Sequence, residues 1–502
     1  MRTMSCLLAA AAASFLLACD HQTDSVSPTT AELSHSAAVG FVTRQPSLVR
    51  ALLPQARLKP IITVGDPIPG QENNPDPEQR VWAPIPDGLG AYQDGSGLVL
   101  FANHEITSSG VSGNFPYARV SRLVLDPATL SVKSGSYPIT GKVDGFLFQR
   151  LCSATFLGSS EGFGDGWFFT GEESTSGGAL GMQLAVKNDG SETRKLPWLG
   201  QFQHENYIAV PGFGGKAVLF GTDDNGPASL GSALRSELYL YVADGAAGVL
   251  NGTGTLYVFA SSAVQNSGFL AAGSPITGHF VEVPGAASLT AADLETAVSG
   301  LGAFEFVRLE DIDYARHPGV PGQKPAIYFV DTGNINAQCG GSPCDLFGSI
   351  YRMELDPADP TQNASLTLLA RSRGVATGDW ASPDNIAVGE HSLMLDEDPA
   401  YAEFNRPERI WNFKFRQGGT LGPAQAVAEL ENEKFTGNIC SDAAGTCWEF
   451  SGVIDASRWL GEGTWLFDVQ AHTLPFSYLN GQTRVDVPAE GGQLLYLRLP
   501  GS

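Results

Sequence analysis

Short apolar stretches recur along this chain between turns rich in Gly, Pro and Asp, and their ends carry acidic or other ligand-type residues. The segment His204 to Asp224, HENYIAVPGFGGKAVLFGTDD, shows the unit. His204 and Glu205 precede a strand-like run containing Tyr207, Ile208 and Val210. A Gly-rich turn follows, and a second run, Ala217 to Phe220, ends in Asp223 and Asp224. Five looser copies accompany it. Asp87-Gly88 precedes GLVLFANHE, ending in His104 and Glu105, and Cys152 precedes GWFFTGEE, ending in Glu172 and Glu173. Glu310-Asp311-Ile312-Asp313 precedes AIYFVDTGN with Asp331, and Asp384-Asn385-Ile386 precedes HSLMLDEDP with Asp396, Glu397 and Asp398. Glu449-Phe450-Ser451 precedes TWLFDVQAH with Asp468 and His472.

Irregularly spaced repeats of short strands predict an all-β fold, a β-propeller of six blades, in which radial packing brings equivalent strand ends around a central channel. Asp or Asn alone at a strand end makes a turn through its side chain. Glu, His and Cys are poor turn formers, so their recurrence points to ligands. Six sets of carboxylates in one channel repel one another unless cations neutralise them, and the pattern therefore predicts a metal-lined channel. ARVSRLVLDPATLSV, SIYRMELDPADP and RIWNFKF read as further blade strands. SLTAADLETAVSGL predicts a short helix inserted into a blade, capped by Ser288 or Thr290, with Leu294, Ala297 and Leu301 on one face. Residues 46–502 are expected to form a single propeller domain behind a Pro-rich lead-in.

Composition narrows compartment and partners. The 59 Gly and 31 Pro fit a turn-rich fold, and a net charge of −23 disfavours nucleic acid and anionic membrane surfaces, both polyanions. The N-terminus, MRTMSCLLAAAAASFLLAC, is too short and wrongly flanked to span a membrane and reads as an export signal. Leu16-Leu17-Ala18-Cys19 resembles a bacterial lipobox. This implies removal of residues 1–18 and lipid attachment to Cys19, an ordinary secretory signal being the alternative. Residues 19–45 are polar and read as a flexible tether. The expectation is an exported bacterial lipoprotein of the periplasm or cell envelope, monomeric, touching membrane only through lipidated Cys19.

An oxidising compartment tolerates disulfides. Cys339 with Cys344 and Cys440 with Cys447 are spaced to close on themselves, which leaves Cys152 as a buried thiol, a nucleophile or a metal ligand. Its place at the start of a repeat favours the ligand. No GxSxG, HExxH or P-loop occurs, so any chemistry is expected from the channel.

Taken in order, Phe101-Ala102-Asn103-His104-Glu105, the Cys152 segment leading to Gly171-Glu172-Glu173, Phe202-Gln203-His204-Glu205, Gly221-Thr222-Asp223-Asp224, Leu309-Glu310-Asp311-Ile312, Pro383-Asp384-Asn385 and Asp468-Val469-Gln470-Ala471-His472 resemble the successive motifs of the PhoX-type alkaline phosphatases. The likeness spans roughly 95–475. It implies a propeller with iron and calcium at its centre that hydrolyses phosphate monoesters. Carried over by position, it implies that Cys152, Glu172 and Glu310 are catalytic, iron-site residues and that Glu105, Glu173, Asp223 and Glu449 lie at calcium positions or behind them. His204, Glu205, Asp311 and Asp384 complete the metal candidates. The chain departs from the family where Ser160 to Trp167 replaces Pro-Trp-Gly-Thr-Trp, and its export signal lacks a twin arginine. Two competing readings are an esterase or lactonase on a calcium-centred propeller and a non-catalytic lipoprotein whose calcium is structural.

Overall fold

The computed structural model describes residues 40–227, 229–316, 324–398, 404–437 and 447–501. The expected signal peptide, Cys19 and most of the tether lie outside the described residues, as does Cys440. Six antiparallel sets of strands form the blades of a propeller. Their inner strands are Pro86–Asp94, Leu151–Leu157, His204–Ala209, Leu309–Tyr314, Pro383–Val388 and Glu449–Asp455. Each inner strand packs against the next, and the sixth against the first. Blades 3 and 4 are fused into one sheet, because Ile276–Glu282 pairs with Thr255–Ala260 on one side and with Ala364–Arg371 on the other. The ring is closed by the N-terminal segment: Arg57–Thr63 forms the outer strand of blade 6, and Val49–Ala51 pairs with the edge of blade 5.

Each blade is buried on both faces, which explains why runs such as WFFT, AVLF and AIYFV are continuously apolar rather than alternating. Phe168 faces the core between blades 1 and 2, and its neighbour Phe169 faces the core between blades 2 and 3. Leu219 and Phe220 divide likewise between the cores on the two sides of blade 3. Every such fully buried aromatic or aliphatic side chain contributes about 2 kcal/mol by removal of apolar surface from water.

The expected helix is present as Ala291–Gly300, capped by Thr290, whose hydroxyl accepts from the Asp293 N–H at 3.3 Å. Its buried face is Leu294 and Val298, and these join the core between blades 2 and 3. Cys339 and Cys344 form a disulfide, and Cys152 is a buried free thiol. Among the described residues no helix is long and apolar enough to cross a membrane.

Candidate metal centre

In all six blades the inner strand carries one extra residue relative to its partner. The shifts fall between Pro86 and Leu89, Leu151 and Ala154, His204 and Tyr207, Leu309 and Ile312, Pro383 and Ile386, and Ser451 and Ile454. A bulge bends the strand and re-aims its side chains. The bulged pairs are Asp87-Gly88, Cys152-Ser153, Glu205-Asn206, Glu310-Asp311, Asp384-Asn385 and Gly452-Val453.

In blades 1 to 5 the first residue of the pair belongs to a candidate metal group. Three such groups share members. Asp87, Glu105 and Cys152 form one; Cys152, Glu173 and Glu205 a second; Glu205, Glu310 and Asp384 a third. Within each, the ligand atoms lie within 4.8 Å of one another. Cys152 and Glu205 therefore link the three into one continuous site.

The second residue of the pair ties blades together. The Asn206 amide donates to Asp311 Oδ1 at 2.6 Å, and Asp311 Oδ2 accepts from the Ile386 N–H at 3.1 Å. The Asn385 side-chain oxygen Oδ1 accepts from the Gly452 N–H. Gly88 leaves no room for a side chain, since a Cβ would lie 2.5 Å from the Cys152 carbonyl oxygen.

Burial pushes the Asp87, Glu205, Glu310, Glu173 and Asp384 carboxyls and the Cys152 thiol well above their ordinary pKa values, and neighbouring carboxylates add to the push. Two arginines oppose it. Arg150 bridges Glu105 at 2.8 Å and Glu173 at 2.6 Å, and Arg308 bridges Asp224 at 2.8 Å and Glu310 at 3.0 Å. Two cations do not balance this many acids. Glu205, fully buried, has neither carboxylate oxygen hydrogen-bonded. Carboxylate oxygens without donors beside a thiol in a desolvated cavity form a donor set that fits cations: carboxylate suits calcium, and adding thiolate suits iron. Gln470 supports this set by donating to Asp87 Oδ2 at 2.9 Å and Glu105 Oε2 at 3.2 Å. At the rim, Glu449 is pushed up to about 8 by burial and by Asp398, while His472 is drawn well above an ordinary imidazole by its carboxylate partners. The imidazole lies 2.7 Å from Glu490 and 3.7 Å from Glu449.

Of the sequence candidates, Cys152, Glu105, Glu173, Glu205, Glu310 and Asp384 come together in these groups, and Glu449 stands beside them. Glu172, His204, Asp223 and Asp311 do not. Successive side chains of a strand point to opposite faces, so at the ends of the second strands only one residue of each pair reaches the channel. Glu105, Glu173, Asp224 and Asp398 follow residues that turn away. Glu172 accepts from the backbone N–H groups of Gln149, Leu180 and Met182 at 3.2, 3.1 and 3.4 Å. Glu397 accepts from Arg406 and from the Trp411 indole. The His204 imidazole packs on Phe202 and reaches the Gly200 carbonyl at 3.2 Å. Asp311 is the inter-blade clamp already described. Asp87, Arg150, Arg308, Asp224 and Gln470 are not among the sequence candidates. Asp87 had a signal, since it opens the first repeat as Cys152 opens the second, and Asp224 and Gln470 stand within the repeat-end motifs.

The sequence pattern of the family described as Alkaline phosphatase PhoX matches residues 184–452, more than half of the chain. That span includes Glu205, Glu310, Asp384 and Glu449 and begins after Cys152. No curated protein matches the chain in sequence. Among solved structures, Pseudomonas fluorescens PhoX in complex with vanadate, a transition state analogue, aligns with a TM-score of 0.60 at 13% identity, covering 92% of this chain and 97% of that one. This likeness establishes the propeller fold. A Penicillium chrysogenum α-L-arabinanase (TM-score 0.41, 13% identity, 87% of this chain and 98% of that one) and a Fusarium graminearum α-L-arabinofuranosidase (0.40, 9%, 88% and 99%) align too loosely to bear on function. The chain belongs to the alkaline phosphatase PhoX family.

Proposed function

We propose that this protein hydrolyses small phosphate monoesters at the mouth of the channel, with iron and calcium held by the linked groups around Cys152 and Glu205. The observation that carries the reading is Glu205, a fully buried carboxylate without a hydrogen-bond donor, in a ring of acids flanked by two arginines. Cys152 with Asp87, Glu105, Glu173 and Glu205 would hold iron, and Glu205 with Glu310 and Asp384 would hold calcium. Bound there, such cations supply Lewis acidity for phosphoryl transfer.

The chain's own residues do the positioning. Arg150 and Arg308 are partly exposed and now spend their donors on Glu105, Glu173, Asp224 and Glu310. Once those carboxylates are neutralised, guanidinium N–H groups can turn to the phosphate oxygens, which they match geometrically. We propose His472, which Glu449 and Glu490 draw toward its cationic form, as the proton donor to a leaving alkoxide. The acidic surface otherwise repels an anionic ester, so the metal-loaded mouth is the region that reverses the potential.

The test is turnover of a chromogenic phosphate monoester by purified protein, stripped with chelator and then reloaded with iron and calcium. The rate is expected to fall to background and return, with the melting temperature falling and returning alongside it. Full turnover by protein shown to contain no metal overturns the reading. We also infer that Cys19 carries a lipid anchor. Cys19→Ala should leave the propeller folded and move the protein from the membrane to the soluble fraction, and continued membrane partition refutes the anchor.

A further inference from the structure

The last residue of the second strand turns away from the channel in each of the first five blades, and in four of them it meets donors or hydrogen-bonding partners. His104 contacts the Ser121 hydroxyl and the Pro84 carbonyl; Glu172 takes three backbone N–H groups; Asp331 accepts from the Tyr351 hydroxyl at 2.7 Å; Glu397 takes Arg406 and Trp411. Blade 3 is different. Asp223 ends the strand Ala217–Asp223, and since Thr222 pairs with Leu238, its next cross-strand neighbour is Glu237. Glu237 pairs in turn with Glu305 on the short strand Glu305–Phe306. Three carboxylates thus stand side by side on three strands, an arrangement that destabilises a sheet.

A fourth, Glu295, comes from the helix Ala291–Gly300, and its charge acts on both Asp223 and Glu237. The cation whose charge acts on the group is the exposed Arg235. Asp223 is 2% and Glu237 1% exposed, and Asp223 Oδ1 and Glu237 Oε2 have no hydrogen-bond partner. Two buried carboxylates with free lone pairs in a row of like charges need a counter-charge that the described residues do not provide.

We propose that Asp223, Glu237, Glu295 and Glu305 form a second divalent-cation site, an all-oxygen calcium site separate from the channel, which fastens the helix Ala291–Gly300 to blade 3. The all-carboxylate donor set selects a hard ion over a thiophilic one. Unlike the channel groups, no three of these acids have oxygens within 4.8 Å of one another. Binding therefore draws in Glu295 and Glu305, the half-buried members on the insertion between blades 3 and 4.

Two variants of the full-length protein test this, Glu237→Gln and Glu305→Gln. Calcium per chain is measured by elemental analysis after dialysis, and melting is followed in calcium and in chelator. Each variant is expected to hold one calcium ion fewer than the parent. In calcium each should melt below the parent, by roughly 1 to 3 °C, and in chelator above it, because an uncompensated charge has been removed. Phosphatase turnover in excess metal should be unchanged, which separates this site from the channel. If Glu237→Gln does not fold, the half-buried Glu305→Gln carries the test. A folded variant with the parent's calcium content, or one that melts at or above the parent in both conditions, overturns the proposal and leaves protons as the neutralising charge.

Discussion

The two ends of the propeller's inner strands use the same residue type for opposite purposes. On the side of the first bulge residues, Glu205 has no hydrogen bond, and Asp87, Glu173, Glu310 and Asp384 crowd around it. One residue further along, Asp311 accepts from Asn206, from its neighbour Ile312 at 2.7 Å and from Ile386. Asp313 takes the Val388 N–H at 2.8 Å and the Arg316 guanidinium. Asp311, Asp313, Arg316 and Asp455 line a cavity of about 100 Å³ beyond the bulges. Burial raises carboxyl pKa values at both ends, yet Asp311, held down by its donors, reaches only about 7, whereas no hydrogen-bond donor holds Glu205 down. A carboxylate's role here follows from whether neighbouring strands present N–H groups to it. Where they do, it clamps blades; where they do not, its lone pairs stay available to a cation.

Cys152→Ser tests the unsatisfied end most severely. Exchange of a thiolate for a hydroxyl, a poor iron donor, should remove iron and cost turnover at least about a hundredfold, while the propeller still melts cooperatively. Full iron and full turnover in this variant would reduce Cys152 to a buried thiol.

The adjacent pair Glu310 and Asp311 brings the contrast down to one peptide bond. Glu310→Gln is expected to weaken metal binding and turnover with little loss of metal-free stability. Asp311→Ala should cost about 3 kcal/mol, because it leaves the Asn206 and Ile386 donors unpaired in a buried place, with turnover per folded molecule retained. Equal effects of the two on calcium content would break the distinction.

The smallest effect concerns pH. Glu449 has a folded-state value of about 8, above its unfolded value, so between those two values the folded chain binds more protons than the unfolded one. Its contribution to metal-free stability is complete below the unfolded value and is lost as pH rises through 8. The metal-free protein should therefore melt higher at pH 6 than at pH 9, and excess metal should flatten or reverse that slope because ligation requires deprotonated groups. A metal-free melting temperature that rises with pH over this range contradicts the unsatisfied-acid picture.

The channel-facing parts of the repeat were legible because they are local. In five of the six units the bulged pair falls at or next to the opening residue, and its residue types, Asp-Gly, Cys-Ser, Glu-Asn, Glu-Asp and Asp-Asn, are unlike ordinary strand residues. The propeller fold follows from the same repetition. What failed was parity. Glu172 and Glu173, or Asp223 and Asp224, are equivalent in composition, and only the register of the second strand selects which one faces the channel.

By itself the sequence determined that the chain repeats a two-strand unit with ligand-type ends, that it forms an all-β propeller, and that Cys152 stands apart from the other cysteines. Tertiary structure decided which acids come together and which donors each one meets. The extra residue in every inner strand turns Asp87, Cys152, Glu205, Glu310 and Asp384 into one site, and donors from neighbouring blades convert Asp311 and Asp313 into clamps. The reason is physical. A carboxylate's chemistry depends on its desolvation and on the donors it meets, and in a propeller those donors come from the adjacent blade, tens of residues away in the chain.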